Sequence, residues 1–369
     1  MGEGSVSGLM RCRVSPMAQD IFKLVRQKEA QFRQHLRRGV IITPGAIGDC
    51  LLMLPLASFM KEACRLGGIE FIGHTEYIDF YPGRTCVDGI RSIDSIDFHR
   101  LFTDAKDFAV EDGDVLITAF DRYEWITSFL GAGDSNFEHN LIYTVNCHRS
   151  AEVTTLPLEA KDGFGGHISE FYINRFNVAN TLWVQPTKFD ATAGLVQPTQ
   201  ADICCGQGLL QTQGIGPGRR VVIIHPGSGG REKCWHLDNF CKLAETLAAK
   251  DMQVLFLLGP AELDRFDAEA TKRIEGLGKC VSGLGLAEVM QILACANLYI
   301  GNDSGITHLA ATLGSSTLAI FGPTDAKLYC PIGPQVTVFS AETESFTKPS
   351  AKSAQQVADI ACKIATMNR

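Results

Sequence analysis

No apolar run in the 369-residue sequence reaches the ~18 residues that a membrane-spanning helix needs, and the N-terminus lacks the basic-then-apolar pattern of a secretory signal. Positive charge is not in surplus: 34 Lys and Arg stand against 41 Asp and Glu, a formal net charge of −7, which excludes a broadly basic nucleic-acid-binding face. The 13 cysteines form no Cys-x-x-Cys pair, and Cys204 and Cys205 are too close for ordinary bridging. Neither a zinc site nor a disulfide framework is therefore expected, and a reducing, cytoplasmic setting is the simplest reading. With 45% hydrophobic and 20% charged residues the chain has the balance of a globular protein. It is too long for one ordinary core, which predicts two domains of roughly 150 to 200 residues each.

Apolar periodicity organises the chain into two alternating series. Residues 19–38 read as a helix with Ile21, Leu24, Val25, Phe32 and Leu36 on a partial stripe, ended by Gly39. From Lys23 to Arg38 it carries six basic residues against one acid, so it is a candidate for contact with an anionic membrane surface. The alternative is a helix with a solvated basic face packed on the first domain. Val40–Thr43 reads as a buried strand, Asp49–Gly67 as a helix, and Ile69–Ile72 and Val115–Phe120 as further strands. Residues 131–195 show no clear period and are assigned to the same domain by position. The Gln-, Gly- and Pro-rich stretch 196–220 is expected to contain the linkage. A second series follows: strands at Val221–His225, Gln253–Leu258, Leu298–Ile300 and Thr317–Phe321, and helices at Asn239–Lys250 (capped by Asp238), Glu262–Arg273, Leu286–Cys295 and Ile306–Leu313. A helix over Ala351–Met367 closes the chain. The predicted organisation is a leader at 1–39, doubly wound parallel-sheet domains at 40–195 and 196–350, and a closing helix at 351–369.

Three strand exits carry chemistry. After Val221–His225 comes Pro226-Gly227-Ser228-Gly229-Gly230, with Lys233 and Trp235 just beyond. A glycine-rich turn exposes backbone N–H groups to an anion, and Lys233 adds a point charge suited to a diphosphate; a plain tight turn with a solvated lysine is the alternative. The second exit, Gly301-Asn302-Asp303-Ser304-Gly305-Ile306-Thr307-His308, delivers an acid and a hydroxyl to a helix start, with His308 one turn further on the face of Ser304. Such clusters at the carboxyl ends of strands are where doubly wound sheets bind ligands. At the first exit, Gly45-Ala46-Ile47-Gly48-Asp49, the aspartate is either a helix cap or a general base facing the interdomain cleft. No GxGxxG follows the first strand, which counts against a dehydrogenase.

These stretches resemble glycosyltransferase family 9, the heptosyltransferase family of lipopolysaccharide core assembly. The resemblance lies in GAIGDCLLMLP (45–55), HPGSGGREKCW (225–235), GPAE (259–262), GNDSGITHLAATLG (301–314) and FGPTDAKLY (321–329). It implies a GT-B fold, two Rossmann-like domains facing a cleft, with the acceptor on the N-terminal domain and the nucleotide sugar on the C-terminal one. It also implies inverting displacement at the anomeric carbon without a metal or cofactor, the default donor being ADP-heptose. Carried over, Asp49 matches the catalytic base and Lys233 the lysine near the donor diphosphate. Ser228 and Gly229 match the phosphate loop, Glu262 the acid on the donor ribose, and Asp303, Ser304, Gly305 and His308 the helix start around the phosphates and sugar. The acceptor implied is a saccharide or lipid-linked saccharide, with possible peripheral contact at the inner membrane. The chain departs from the family in the residues ahead of its first strand and in His236, where proline usually follows the tryptophan. A non-catalytic nucleotide-sugar-binding protein and a GT-B epimerase are the rival readings.

Overall fold

A computed structural model describes residues 37–160, 163–182, 184 and 194–367. The helix expected over 19–38 lies outside them apart from its end, where the chain is extended. Strand β1 (Arg38–Ile42) already begins at Arg38, and Gly39 pairs with Ile69 on one side and Trp125 on the other instead of capping a helix.

The first series continues with α1 (Ile47–Leu52), α2 (Leu54–Ala63), β2 (Gly68–Gly73), α3 (Thr75–Ile78), β3 (Gly89–Ser92), α4 (Val115–Phe120), β4 (Trp125–Ser128), α5 (Ser135–Val145), β5 (Glu152–Thr155) and α6 (Ile168–Ala179). The second comprises α7 (Gln200–Thr212), β6 (Val221–His225), α8 (Leu237–Ala248), β7 (Gln253–Leu258), α9 (Pro260–Arg265), α10 (Ala268–Leu277), β8 (Lys279–Ser282), α11 (Leu286–Leu293), β9 (Leu298–Asn302), α12 (Gly305–Thr312), β10 (Thr317–Phe321), β11 (Val336–Ser340), α13 (Glu344–Thr347) and α14 (Ala351–Met367). The sheets run β3-β2-β1-β4-β5 and β11-β10-β9-β6-β7-β8, with every pairing parallel. The expected pair of doubly wound α/β sheets is therefore present.

Strand alternation divides the core. Ile41, Val221 and Ile223 point into a central cluster shared by both sheets, together with Leu51, Leu52, Leu210, Met290 and Leu309. Val40 and Ile42 point outward to a cluster with Phe120, Phe137 and Leu141, and Val222 and Ile224 to one with Phe240, Leu243 and Val357 of the closing helix. Both faces of each central strand are covered, which is why these strands are continuous apolar runs.

Several expectations are corrected. Val115–Phe120 is helix α4, not a strand: Asp114 accepts from the Leu116 N–H at 2.9 Å as its cap, and the strand comes later at Trp125. A six-residue apolar run has no periodicity able to separate the two states. The helix expected at 49–67 starts at Ile47 and breaks at Met53, because Pro55 has no N–H to donate and its ring crowds the preceding turn. Phe266 and Asp267 divide the helix expected over 262–273, Asp267 accepting from Ala270 N at 2.8 Å to start α10. His236, not Asp238, caps α8: its Nδ1 accepts from Asp238 N at 3.2 Å, and the Asp238 carboxylate pairs with Arg273. Within the expected linkage, Thr199 and Asp202 form a capping box that opens α7 despite Gly206 and Gly208.

Polar ties join the two halves beside this core. Arg84 grips Asp202 with two hydrogen bonds of 2.7 and 2.8 Å, Gln197 N donates to Arg84 O at 2.7 Å, and His167 Nε2 bonds Cys330 O at 2.8 Å. Among the described residues no helix is long and apolar enough to cross a membrane.

Candidate active site

In a doubly wound sheet the crevice opens where successive strands leave in opposite directions. The strand orders place those points between β1 and β4 in the first sheet and between β6 and β9 in the second. The loops leaving β1, β6 and β9 are the three exits singled out above, and the structure brings them together around one cleft of about 400 Å³. Asp49, Ser228, Gly229, Lys233, Asp303, Ser304, Gly305 and His308 all line it. The starts of α1 and α12 meet here, close enough that a Cβ on Gly305 would lie 2.7 Å from Ile47 Cβ. Glycine is what lets the two helix ends approach.

The loop after β6 is fixed to the end of β9. Fully buried Asn302 donates through Nδ2 to Pro226 O at 2.8 Å and accepts from Trp235 N at 2.9 Å. Ser228 Oγ donates to Asp303 O at 2.7 Å. Ser304 is the N-cap of α12, accepting from Thr307 N at 3.3 Å, so the free N–H groups at that helix start open beside the loop.

Asp303 is the electrostatic centre. Lys233 Nζ lies 3.0 Å from its Oδ2, and His308 Nε2 lies 3.6 Å from its Oδ1. Burial pushes the Asp303 carboxyl up, but His308 and Lys233 outweigh it and hold the group at about 2. The other ring nitrogen of His308, Nδ1, is buried and has no hydrogen-bond partner among the described residues.

Asp49 resolves the choice between cap and cleft residue by being placed for both. It is the third residue of α1, and its Oδ2 accepts from Ala46 N at 2.9 Å at the helix start. The carboxylate also lines the cleft on the side of the first sheet, opposite Lys233 and the loop after β6. Burial pushes its carboxyl above the ordinary value, against the lowering effects of the Ala46 N–H, His308 and Lys233.

Glu262 is not brought into this cleft. It is 3% exposed, its Oε2 accepts from Gly259 N at 2.7 Å and lies 3.4 Å from His225 Nε2. Burial opposes its ionisation, but the His225 and Gly259 contacts keep its carboxyl below the ordinary value. It lines a separate cavity of about 320 Å³ on the other side of the loop after β6.

Glu159, Leu158 and Tyr329 also line the cleft, and sequence reasoning gave them no role. Leu158 and Glu159 follow edge strand β5 in the stretch without a legible period. Burial and then the acids Glu159, Asp49 and Asp303 push the Tyr329 hydroxyl up, which places it among carboxylates. Among the described residues no group of three or more His, Cys, Asp or Glu is arranged to hold a metal ion.

The profile of glycosyltransferase family 9 (heptosyltransferase) matches residues 142–358. Lipopolysaccharide heptosyltransferase 3 of Escherichia coli K12 is 30% identical over 138 residues, 36% of this chain and 39% of its own length. Lipopolysaccharide heptosyltransferase 1 of the same strain is 28% identical over 184 residues, 48% of this chain and 56% of its own. The chain thus matches less than two thirds of the length of these curated relatives. Among solved structures, a family 9 glycosyltransferase from Veillonella parvula superposes with a TM-score of 0.67 at 16% identity, over 90% of this chain and 98% of that one. E. coli ADP-heptose lipopolysaccharide heptosyltransferase II gives 0.64 at 15% identity, over 89% and 99%. At these identities the likeness establishes the fold, the two-sheet GT-B arrangement.

Proposed function

Since the chain belongs to glycosyltransferase family 9, we propose that it is an inverting, metal-independent glycosyltransferase. It moves a sugar, by family default heptose from ADP-heptose, from a nucleotide-diphosphate donor to a saccharide hydroxyl in the assembly of lipopolysaccharide core or a related surface glycan. The observation that carries this reading is the division of the cleft: a carboxylate of raised pKa, Asp49, on the first sheet faces a cation and an N–H-rich loop on the second.

In the proposed step the acceptor oxygen attacks the anomeric carbon while Asp49 takes its proton. The bond from that carbon to the diphosphate oxygen breaks, and its electron pair leaves with the diphosphate. A single displacement from the face opposite the leaving group inverts the anomeric centre. Burial suits Asp49 to the task, since a base of raised pKa binds the proton more strongly. Lys233, the N–H groups of the 228–230 loop and the start of α12 stabilise the charge that grows on the diphosphate. Asp303 orients Lys233 and His308 toward that charge, and the unpartnered His308 Nδ1 offers a contact to the donor. Glu262 packs against Gly227, where an added Cβ would lie 1.5 Å from its Oε1, and both line the neighbouring 320 Å³ cavity, which is where it would meet the donor ribose. On the acceptor side, Glu159 and Tyr329 offer hydrogen-bonding groups to sugar hydroxyls. A lipid-linked acceptor is included in this reading, with the basic residues from Lys23 to Arg33 contacting an anionic inner-membrane surface; Arg37 and Arg38, counted with them from the sequence, instead pair with Glu124 and Glu70 of the first domain.

The test is release of ADP from ADP-heptose by the full chain, with a core saccharide as acceptor and excess EDTA present. Acceptor-dependent ADP release that survives EDTA is the expected result. Loss of activity in EDTA, restored by magnesium or manganese, would contradict the metal-free step. Binding of ADP-heptose without turnover would favour a non-catalytic protein, and a change in the donor sugar without acceptor would favour an epimerase.

A further inference from the structure

The loop that bounds the cleft is also the wall of the second cavity, and Arg265 holds it from behind. Arg265 is the last residue of α9; its Nη1 donates to Ser228 O at 2.8 Å and its Nη2 to Gly229 O at 2.9 Å. Both carbonyls therefore face the guanidinium, in the 320 Å³ cavity that Arg265 lines. A planar trans peptide points its N–H opposite to its C=O. The peptides 228–229 and 229–230 are trans, so the N–H groups of Gly229 and Gly230 turn away from Arg265. Gly229 and Gly230 line the cleft, and among the described residues neither N–H has a backbone partner. Ser228 Oγ, bonded to Asp303 O, pins the same loop to the neighbouring strand exit.

We infer that Arg265 is a positioning residue of the anion site: by fixing two successive carbonyls it aims two successive N–H groups at the donor diphosphate. Consecutive N–H groups turned to one side form a concavity suited to a phosphate oxygen. A flexible glycine pair would otherwise have to be ordered when the ligand arrives, at a cost in conformational entropy. The planar fork of arginine suits this work, because one rigid group reaches both carbonyls; a lysine reaches one at a time. Arg265 itself does not line the cleft. The inference rests on the reading of the cleft as a diphosphate site.

The experiment compares the affinities of ADP and adenosine for the full chain, Arg265→Ala, Arg265→Lys and Lys233→Ala, by calorimetry with competition for the weaker ligand. Arg265→Ala is expected to weaken ADP by about 10-fold or more, the loss of two charged hydrogen bonds that organise the loop, and to leave adenosine nearly unchanged. Arg265→Lys should fall between. Lys233→Ala should weaken ADP selectively as well. If Lys233→Ala weakens ADP and Arg265→Ala does not, the positioning role is wrong while the diphosphate reading stands. Equal losses for ADP and adenosine in Arg265→Ala would also overturn it, since a residue that merely supports the fold acts on both. If neither substitution changes ADP affinity, or the parent binds no ADP, the diphosphate reading fails and this inference with it. Should Arg265→Ala not fold, the ratio of the two losses in Arg265→Lys decides by the same criterion.

Discussion

Asp49→Asn is expected to slow transfer by about 100- to 10,000-fold while leaving the affinity for ADP nearly unchanged. The substitution keeps the shape of the side chain and leaves an oxygen to accept from Ala46 N, the bond of 2.9 Å that closes the first turn of α1. It removes the basic site that takes the acceptor proton. Loss of the Ala46 hydrogen bond and loss of base catalysis are thereby separated, because the Asn amide oxygen accepts from Ala46 N but takes up no proton. The pH profile gives a second readout. Burial raises the Asp49 carboxyl, so transfer in the parent should fall on the acid side at a pH above that of an ordinary carboxylate, as the base becomes protonated. The variant should lack that limb. Turnover within about threefold of the parent would return Asp49 to a capping role, since a positioned base contributes at least about 100-fold.

The second large effect is on stability. Asp202→Ala is expected to destabilise the chain by about 2–4 kcal/mol, read from denaturant unfolding. Asp202 is 2% exposed and receives hydrogen bonds from Arg84 Nε and Nη2, Thr199 N and Oγ1, and Gln291 Nε2. Removing the carboxylate leaves those donors without their acceptor across the junction between the halves. The estimate is kept below that for a fully buried pair because the Arg84 side chain is 27% exposed and solvent screens it. The sign with pH follows from the direction of the shift. The Arg84 guanidinium, ahead of the Thr199 and Gln291 bonds, holds the Asp202 carboxyl well below its ordinary value. The pair's contribution is therefore present in full above the unfolded value, near 3.9 for Asp, and is lost as pH falls toward the folded value. Stability of the parent should thus decline in acid more steeply than that of Asp202→Ala. Equal acid sensitivity of the two would show that the pair contributes nothing to the folded state.

What was legible in the sequence follows from where each element lies. Strands β1, β2, β6, β7, β9 and β10 occupy the interior of their sheets and announce themselves as apolar runs. The four strands without a signal, β3, β5, β8 and β11, are the four sheet edges. Each has four or five residues and is at most half-buried, so tertiary pairing rather than pattern makes it a strand. Strand β4 was hidden by the neighbouring apolar run of α4. The site was legible where chemistry is concentrated in one strand exit: Asp49, Ser228, Lys233, Asp303 and His308 each stand in such a cluster. Glu159 and Tyr329 reach the cleft through loops whose course depends on long-range packing. Arg265 was not legible because its partners are carbonyls, which every residue carries. Glu262 was found by resemblance, while its burial against His225 is a property of the packed loop.

The central claim is that the cleft between the two sheets binds the donor diphosphate, and hydrogen exchange of the full chain with and without saturating ADP tests it most directly. Binding slows exchange where ligand covers or steadies amide groups. Protection is expected to concentrate in Gly227–Lys233 and Asn302–His308, the two loops that converge on Asp303, with no change around a third cavity of about 290 Å³ lined by Ile203, Leu210, Arg219 and Cys295. Protection confined to other segments, or none at saturating ADP, would contradict it.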